Sequence, residues 1–374
     1  MSEVRANCRL SQPIYRVFGY AGTGKSTLAT HFADSIGGDT VYAAYTGKAA
    51  MVMRKAGCKD ASTIHSLIYT VKVDETDGRV KFLRNKHSAA ADAHLICIDE
   101  CSMVDEKIGR DLLRFKRPIL VLGDPMQLPP VKSKKAREDG TGAGFFTEAK
   151  PDHMLTEIHR QARDNPIIAL ASDIRETGQF SGAYGDGNAV QIIPWNAVDV
   201  RDVEKAEQLL VGRKATRARF NARMREIHGH LMNEPAQGER LVCCRNDSNK
   251  GIFNGGIFET VTPAIFDQKE QTVDLVVQSL DQPDTPKLDV TCRIESFTGG
   301  YDAIHWTQKR GFQHFEYAYA LTVHSAQGSQ WGHVALFDES GVFGADGRRW
   351  LYTAVTRAAE RVDLITRTIK EHRP

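Results

Sequence analysis

No run of 18 or more apolar residues occurs in this sequence, so no part of it reads as a membrane-spanning helix. The N-terminal stretch MSEVRANCRL has no apolar core of the kind a signal peptide needs, and the expected location is a cytoplasm, with no membrane partner. Cysteine is sparse and odd in number: seven residues, with a vicinal Cys243/Cys244 pair and no C-x-x-C. That usage fits reduced thiols better than a disulfide framework and predicts no structural metal. Cys97 and Cys101 flank an acidic pair, but Cys97 lies in the apolar run LICI and reads as packing. Tandem repeats and low-complexity tracts are absent, which excludes a solenoid. Excess charge of one sign is also small: 49 Lys and Arg against 47 Asp and Glu leave a net value of +2, so any nucleic-acid track has to be a local one.

What is present is a globular composition. Hydrophobic residues make up 41% and charged residues 26%, and the glycines and prolines are dispersed, which excludes a disordered or collagen-like chain. At roughly 150 residues per domain, the length predicts two or three domains.

The first chemical site is a phosphate cradle. IYRVF (14–18) reads as a short buried strand, GYAGTGKS (19–26) follows at once, and the helix-like STLATHFADSI stops at Gly37-Gly38. This is G-x-x-x-x-G-K-S in its required strand-loop-helix context. Gly22, Thr23, Gly24, Lys25, Ser26 and Thr27 are the predicted nucleotide-binding residues. The glycines let backbone N–H groups turn inward, and Lys25 supplies a mobile charge for the outer phosphates. Ser26 is the expected Mg²⁺ ligand, and the loop predicts a nucleoside triphosphate substrate.

A second strand, HLICI (94–98), delivers Asp99 and Glu100. One carboxylate can hold the Mg²⁺ shell and the other can orient the attacking water. A third strand, PILVL (118–122), ends in GDPMQLPPV, where Gln127 can sense the terminal phosphate. Three apolar strands, each ending in polar chemistry, describe the carboxyl edge of a parallel sheet and hence an α/β fold.

Other features point outward from that edge. TGKAA (46–50) follows the strand VYAAY, so Thr46 and Lys48 sit where a strand turns into a helix and can face a phosphate. RKATRARFNARMR (213–225) holds six basic residues and no acid, which suits either a solvated basic helix or a nucleic-acid face. VKVDETDGRVKF contains an Asp77-Gly78 turn between alternating strands, predicting a hairpin in which Val73 lies opposite Phe82. IFNGGIF predicts a second hairpin turn at Asn254-Gly255, and TVDLVVQSL and KLDVTCRI read as further strands separated by DQPDTP.

The segments GYAGTGKST, AYTGKAA, STIHSLI, IDECSMV, LGDPMQLPPV, TEIHRQ, YALTVHSAQGSQ and LYTAVTRA stand in the order of the motifs of superfamily 1 helicases. Their wording most resembles the Dda and RecD branch, over residues 17 to 358. The resemblance implies two RecA-like parallel-sheet P-loop cores, the first over 1–155 and the second over 156–236 plus 317–374. It also implies a β-hairpin pin inserted at 66–94 and a small SH3-like β-barrel inserted at 237–316.

By the same resemblance, Glu100 and Gln127 are catalytic and Arg160 and Arg357 are arginine fingers. Gln327 and Gly328 relay the phosphate state, and Mg²⁺ is held by Ser26 and Asp99. The DNA-contacting residues it implies are Thr46, Lys48, Thr63, His65, Phe82, Thr216, Asn221, Arg225, Thr322 and His324. The implied activity is ATP-dependent unwinding of duplex DNA by translocation, 5′ to 3′, along a single strand. The expected partners are single-stranded and forked DNA, with a single-strand-binding or replication protein as a further one, in a bacterial or phage-infected cytoplasm. A DNA-stimulated switch or loading ATPase and an RNA helicase are the competing readings.

Two departures from the family pattern stand out. Only Gln12, beside Pro13, lies upstream where an adenine-reading Gln is usual, and HSAQGSQ has Ser325 where relatives often carry Lys.

Overall fold

The structure is a computed structural model that describes residues 14–73, 80–130, 144–156, 164–181, 183–230, 234–247 and 250–367. Gln12, Arg160 and the Asp77-Gly78 turn lie outside the described residues, as do the side chains of Ser26 and Val73. The chain divides into two compact units. One comprises residues up to 71, 82–207 and 326 onward; the other comprises 72–81 and 208–325. No helix among the described residues is long and apolar enough to cross a membrane.

The first unit is built on a six-stranded sheet in the order β3-β2-β6-β7-β1-β8. Its strands are β1 (Ile14–Gly19), β2 (Thr40–Ala44), β3 (Ser62–Thr63), β6 (Leu95–Asp99), β7 (Ile119–Gly123) and β8 (His153–Leu155). Every pairing described between them is parallel. Helices cover both faces of such a sheet, so its strands read as continuous apolar runs. Alternation still sorts the side chains: Ile96, Ile98 and Val121 enter one core, and Leu95, Cys97 and Leu122 enter the other.

Helix starts in this unit follow local capping chemistry. Thr46 caps the helix Gly47–Lys55 by accepting from Ala49 N–H, and Thr63 caps Ile64–Ile68 by accepting from Ser66 N–H. The same unit holds a second parallel set in which β19 (Ala358–Thr366) lies between β18 (Trp331–Phe337) and β9 (Val190–Pro194).

Between β3 and β6 the chain forms a two-stranded ribbon of β4 (Tyr69–Val73) and β5 (Val80–Arg84). Asn85 N–H closes its base by donating to Ile68 O. Phe82 turns back toward that base, its ring 5.3 Å from His65 and 5.8 Å from Tyr69, while Val71, Phe82 and Leu83 remain exposed.

In the second unit, β10 (Gln208–Val211) pairs in parallel with β17 (Ala320–Thr322), and the helix Lys214–Ile227 packs on β17. An antiparallel sheet runs β13-β14-β12-β11-β16, from strands β11 (Arg240–Cys243), β12 (Ile257–Thr260), β13 (Ile265–Asp267), β14 (Thr272–Ser279) and β16 (Phe315–Tyr317). Strand β15 (Leu288–Arg293) adds to β14. The two runs predicted on either side of DQPDTP are thus paired neighbours. At the predicted Asn254-Gly255 turn, Gly256 N–H donates to Phe253 O and only Gly255 takes a positive φ, of 86°. Phe258, Val277, Cys292 and Phe315 fill this sheet's core.

Candidate active site

The cradle forms where β1 ends. Gly22 and Gly24 hold φ of 79° and 73°, a conformation that favours glycine, and Gly24 leads directly into the helix Lys25–Ile36. Gly19 is required for a different reason, since a Cβ there would lie 2.5 Å from Thr23 Oγ1 and 2.9 Å from Leu155 Cβ. Lys25 Nζ and Thr23 Oγ1 both donate to Tyr20 O, at 2.9 and 2.8 Å, so the lysine arches back over its own loop. Arg175, on the helix Pro166–Thr177, lies 3.9 Å from the centre of the Tyr20 ring.

Two acidic strand ends face this loop. Asp99 is buried at the end of β6, and its Oδ1 accepts from Glu100 N–H at 2.8 Å. Glu100 itself takes the left-handed conformation, φ 52°, outside the range most non-glycine residues adopt. Burial raises the pKa of its carboxyl, and the Asp99 charge raises it further, against the pull of Arg357 and Lys25. At the end of β7, Asp124 is fully buried. Burial also raises its pKa, opposed by Lys25, by hydrogen bonds from Tyr352 and Met126, and by Arg357.

The C-terminal segment of the same unit completes the arrangement. Tyr352, on the helix Gly347–Val355, donates its hydroxyl to Asp124 Oδ2 at 2.6 Å and accepts from Ala21 N–H at 3.0 Å. Thr353 Oγ1 accepts from Leu128 N–H, and Gln327 Nε2 donates to Leu128 O, both at 3.0 Å. Gln127 is buried, with its Oε1 lacking a hydrogen-bond partner. Arg357 is buried as well and is held by Thr353 O, Ser329 O and Thr356 Oγ1. Gly328, φ 77°, packs against the cap of the Gly47–Lys55 helix, where an added Cβ would lie 2.7 Å from Thr46 Oγ1.

Lys25, Glu100, Gln127, Gln327 and Arg357 therefore gather around one strand edge. Asp124, Tyr352 and Thr353 belong to the same cluster but were not singled out in the sequence, although GDPMQLPPV and LYTAVTRA contain them. An acid among many and a tyrosine on an apolar helix carry no signal until chain segments 228 residues apart are brought together.

A carboxylate lacking the Tyr352 hydroxyl would stay buried with one partner fewer, and Ala21 N–H would lose its acceptor. Tyr352→Phe is expected to lower unfolding stability by about 1–3 kcal/mol, read by urea denaturation. An unchanged midpoint would show that water replaces the hydroxyl without cost.

The expected DNA contacts divide sharply. In the first unit, Thr46 and Thr63 spend their hydroxyls on helix caps. Lys48 is buried, with its Nζ 4.7 Å from the centre of the Trp331 ring. His65 sits among Tyr45, Tyr69 and Phe82, and burial lowers its pKa, keeping it neutral near pH 7. In the second unit Thr322 is buried and its hydroxyl meets that of Ser325, while His324 is partly exposed.

Thr216, Asn221 and Arg225 depart from expectation. All three are buried, and a residue that reaches a phosphate from solution must be exposed. Asn221 ties helix to strand instead, donating to Tyr317 O and Ala320 O and accepting from Ala320 N–H. Arg225 pairs with the fully buried Glu239 at 2.7 Å and lies 4.0 Å from the centre of the Tyr317 ring. The exposed cations of this stretch are Arg213, Lys214, Arg219 and Arg223.

Residues 3–193 match the family model described as an AAA domain, and residues 317–365 match the UvrD-like helicase C-terminal domain. The ATP-dependent RecD2 DNA helicase of Deinococcus radiodurans is 30% identical over 370 residues, covering 92% of this chain and 45% of that protein. The ATP-dependent DNA helicase dda of Enterobacteria phage T4 is 31% identical over 181 residues, covering 46% of this chain and 40% of that one. The chain thus spans less than half the length of these relatives. Bacteroides Pif1 bound to single-stranded DNA superposes with a TM-score of 0.59 at 18% identity, over 98% of this chain and 91% of that one. A structure of two coordinating Pif1 helicases on forked duplex gives 0.60 at 19%, over 98% and 92%. At these identities the likeness is one of fold.

Proposed function

The chain belongs to the superfamily 1 helicases, in the group of Dda and RecD, and we propose that it is an ATP-hydrolysing motor that travels 5′ to 3′ on single-stranded DNA and opens duplex at a fork. The observation that carries this reading is the phosphate loop: Gly22 and Gly24 turn at positive φ into the helix Lys25–Ile36, with Asp99 buried at one neighbouring strand end and Asp124 held by Tyr352 at the other. A buried guanidinium fixed by three hydrogen bonds, beside raised carboxyls at the phosphate loop, suits charge building on a transferring phosphoryl group.

In the proposed reaction Lys25 leaves Tyr20 O to meet the outer phosphates, and Glu100 orients the attacking water and takes its proton. Arg357 balances the developing negative charge, and Gln127 reads the terminal phosphate. Arg160 is the proposed second finger. Ser26 and Asp99 offer oxygen ligands and would hold Mg²⁺, which when bound would supply positive charge to offset that of the phosphates. Gln327, joined to the Leu128 carbonyl, offers a route by which phosphate state reaches the neighbouring Gly328 and the Thr46 cap.

For the DNA side we propose that Thr46, His65 and His324 lie along the strand's path and that the exposed cations between 213 and 223 add phosphate contacts, while the buried Thr63 acts as a helix cap beside it. The β4–β5 ribbon, with exposed Val71, Phe82 and Leu83, is the proposed pin. The antiparallel sheet of the second unit is the proposed SH3-like module within 237–316, set between core segments 156–236 and 317–374.

Partial duplexes test the reading. A 5′ single-stranded tail should support strand separation and a 3′ tail alone should not; equal use of both would refute the direction. Comparing ATPase stimulation by DNA and RNA separates the RNA reading. Binding should weaken as salt rises because phosphate contacts release counterions, and a salt-independent affinity would place those cations away from the DNA.

A further inference from the structure

We propose that Cys244, His314 and Glu316 form a binding site for one divalent transition-metal ion of zinc's class, with a further coordination position open to water. The site lies wholly in the second unit and is independent of the motor function.

Backbone register brings the three residues together. Strands β11 and β16 pair antiparallel with Cys243 opposite Phe315 and Val242 opposite Glu316. One step further, Cys244 N–H donates to His314 O at 2.8 Å, so Cys244 faces His314 directly. Glu316 is two residues beyond His314 and projects from the same side of the sheet. The result is a Cys-His-Glu face whose ligand atoms all lie within 4.8 Å of one another.

The His314–Glu316 separation suits a tetrahedral ion, and the Cys244 sulfur lies within 4.8 Å of both. His314 Nε2 is buried and stands 3.3 Å from Glu316 Oε1, at ion-pair distance. Zinc–nitrogen and zinc–oxygen bonds of about 2.0–2.2 Å give a tetrahedral edge of about 3.3–3.5 Å, which matches that separation. The Cys244 sulfur supplies a third corner.

Neighbouring groups hold the ligands in place. The Tyr301 ring stacks on His314 with centroids 3.6 Å apart and planes 16° from parallel, fixing the imidazole. Arg217 pairs with Glu316 through Oε2, leaving Oε1 directed at the histidine. A sulfur and an imidazole nitrogen select a borderline-soft ion over Mg²⁺ or Ca²⁺. Binding would exchange the Cys244 thiol proton for a metal–sulfur bond, the thiolate offsetting one charge of the dication while the Glu316 carboxylate is shared between the ion and Arg217. The ion would join the end of β11 to β16.

Co²⁺ titration of the full chain tests this. One equivalent should bind with a thiolate-to-cobalt band in the near ultraviolet, and added Zn²⁺ should displace it. Cys244→Ser should abolish the band, and His314→Gln should weaken binding by more than about tenfold, the lower end of what losing even an outer partner costs. Cys58→Ser, at a buried cysteine of the first unit, should leave the band intact. Absence of the band in the wild-type chain overturns the site, whether or not the variants fold. So does stoichiometric binding that survives both Cys244→Ser and His314→Gln.

Discussion

Glu100→Gln should bind ATP as well as the wild-type chain and hydrolyse it about 10²–10⁴-fold more slowly, the usual cost of removing a positioned general base. The isosteric amide keeps the shape of the β6 end but cannot accept a proton from water. Lys25→Ala should fail earlier, at binding, because its ammonium is the mobile charge of the loop. Nucleotide affinity and single-turnover hydrolysis distinguish the two. Near-normal turnover by Glu100→Gln would sink the assignment of the base. A pH signature accompanies it. The Glu100 carboxyl titrates above its ordinary range because burial and Asp99 disfavour its charge. The active, ionised form is therefore lost as pH falls through that raised value, so the wild-type acid limb should begin at higher pH than an exposed glutamate would give.

The second large effect is on stability. Arg225→Ala should destabilise the protein by about 3–5 kcal/mol, because it strands an ionised carboxylate in the interior. Glu239 is fully satisfied in the native chain. Its Oε1 accepts from Arg225 Nε and Tyr319 OH, and its Oε2 accepts from Arg225 Nη2 and Ala236 N–H. Adding Glu239→Gln to Arg225→Ala should restore part of the loss, since the remaining donors keep an acceptor and no net charge stays buried. Chemical denaturation of the two single variants and the double gives the coupling directly. Additive losses would mean that water reaches the carboxylate once the arginine is gone.

These two residues mark what was legible in the sequence. Glu100 could be read because strand ends in a parallel sheet announce themselves: an apolar run, then an acid. The three runs at 14–18, 94–98 and 118–122 became β1, β6 and β7 within a residue at their ends. Arg225 was expected at the DNA from the resemblance, and neither motif wording nor composition says which side of a helix is covered. In a helix with basic residues on several sides, Thr216, Asn221 and Arg225 look no different from Arg219 or Arg223. What buries Arg225 is Glu239, beyond the helix end, and the Tyr317 ring, which reaches it only through strand pairing. Tyr352 and Asp124 were illegible for the same reason. The Cys-His-Glu face escaped the cysteine reading because its residues are spaced 70 and 2 apart, whereas metal patterns are recognised by short ligand spacings.

The left-handed backbone at Glu100 sets evolvability against endurance. A side chain at φ 52° costs about 1–2 kcal/mol relative to glycine, and the carboxyl adds a burial penalty. Glycine would remove both burdens at a stroke, so selection for heat resistance alone would favour discarding the residue proposed as the catalytic base. In that proposed role, Glu100 works against the thermodynamic gradient of its own fold. Stabilising the scaffold safely means leaving this strain in place and drawing reinforcement from elsewhere in the chain.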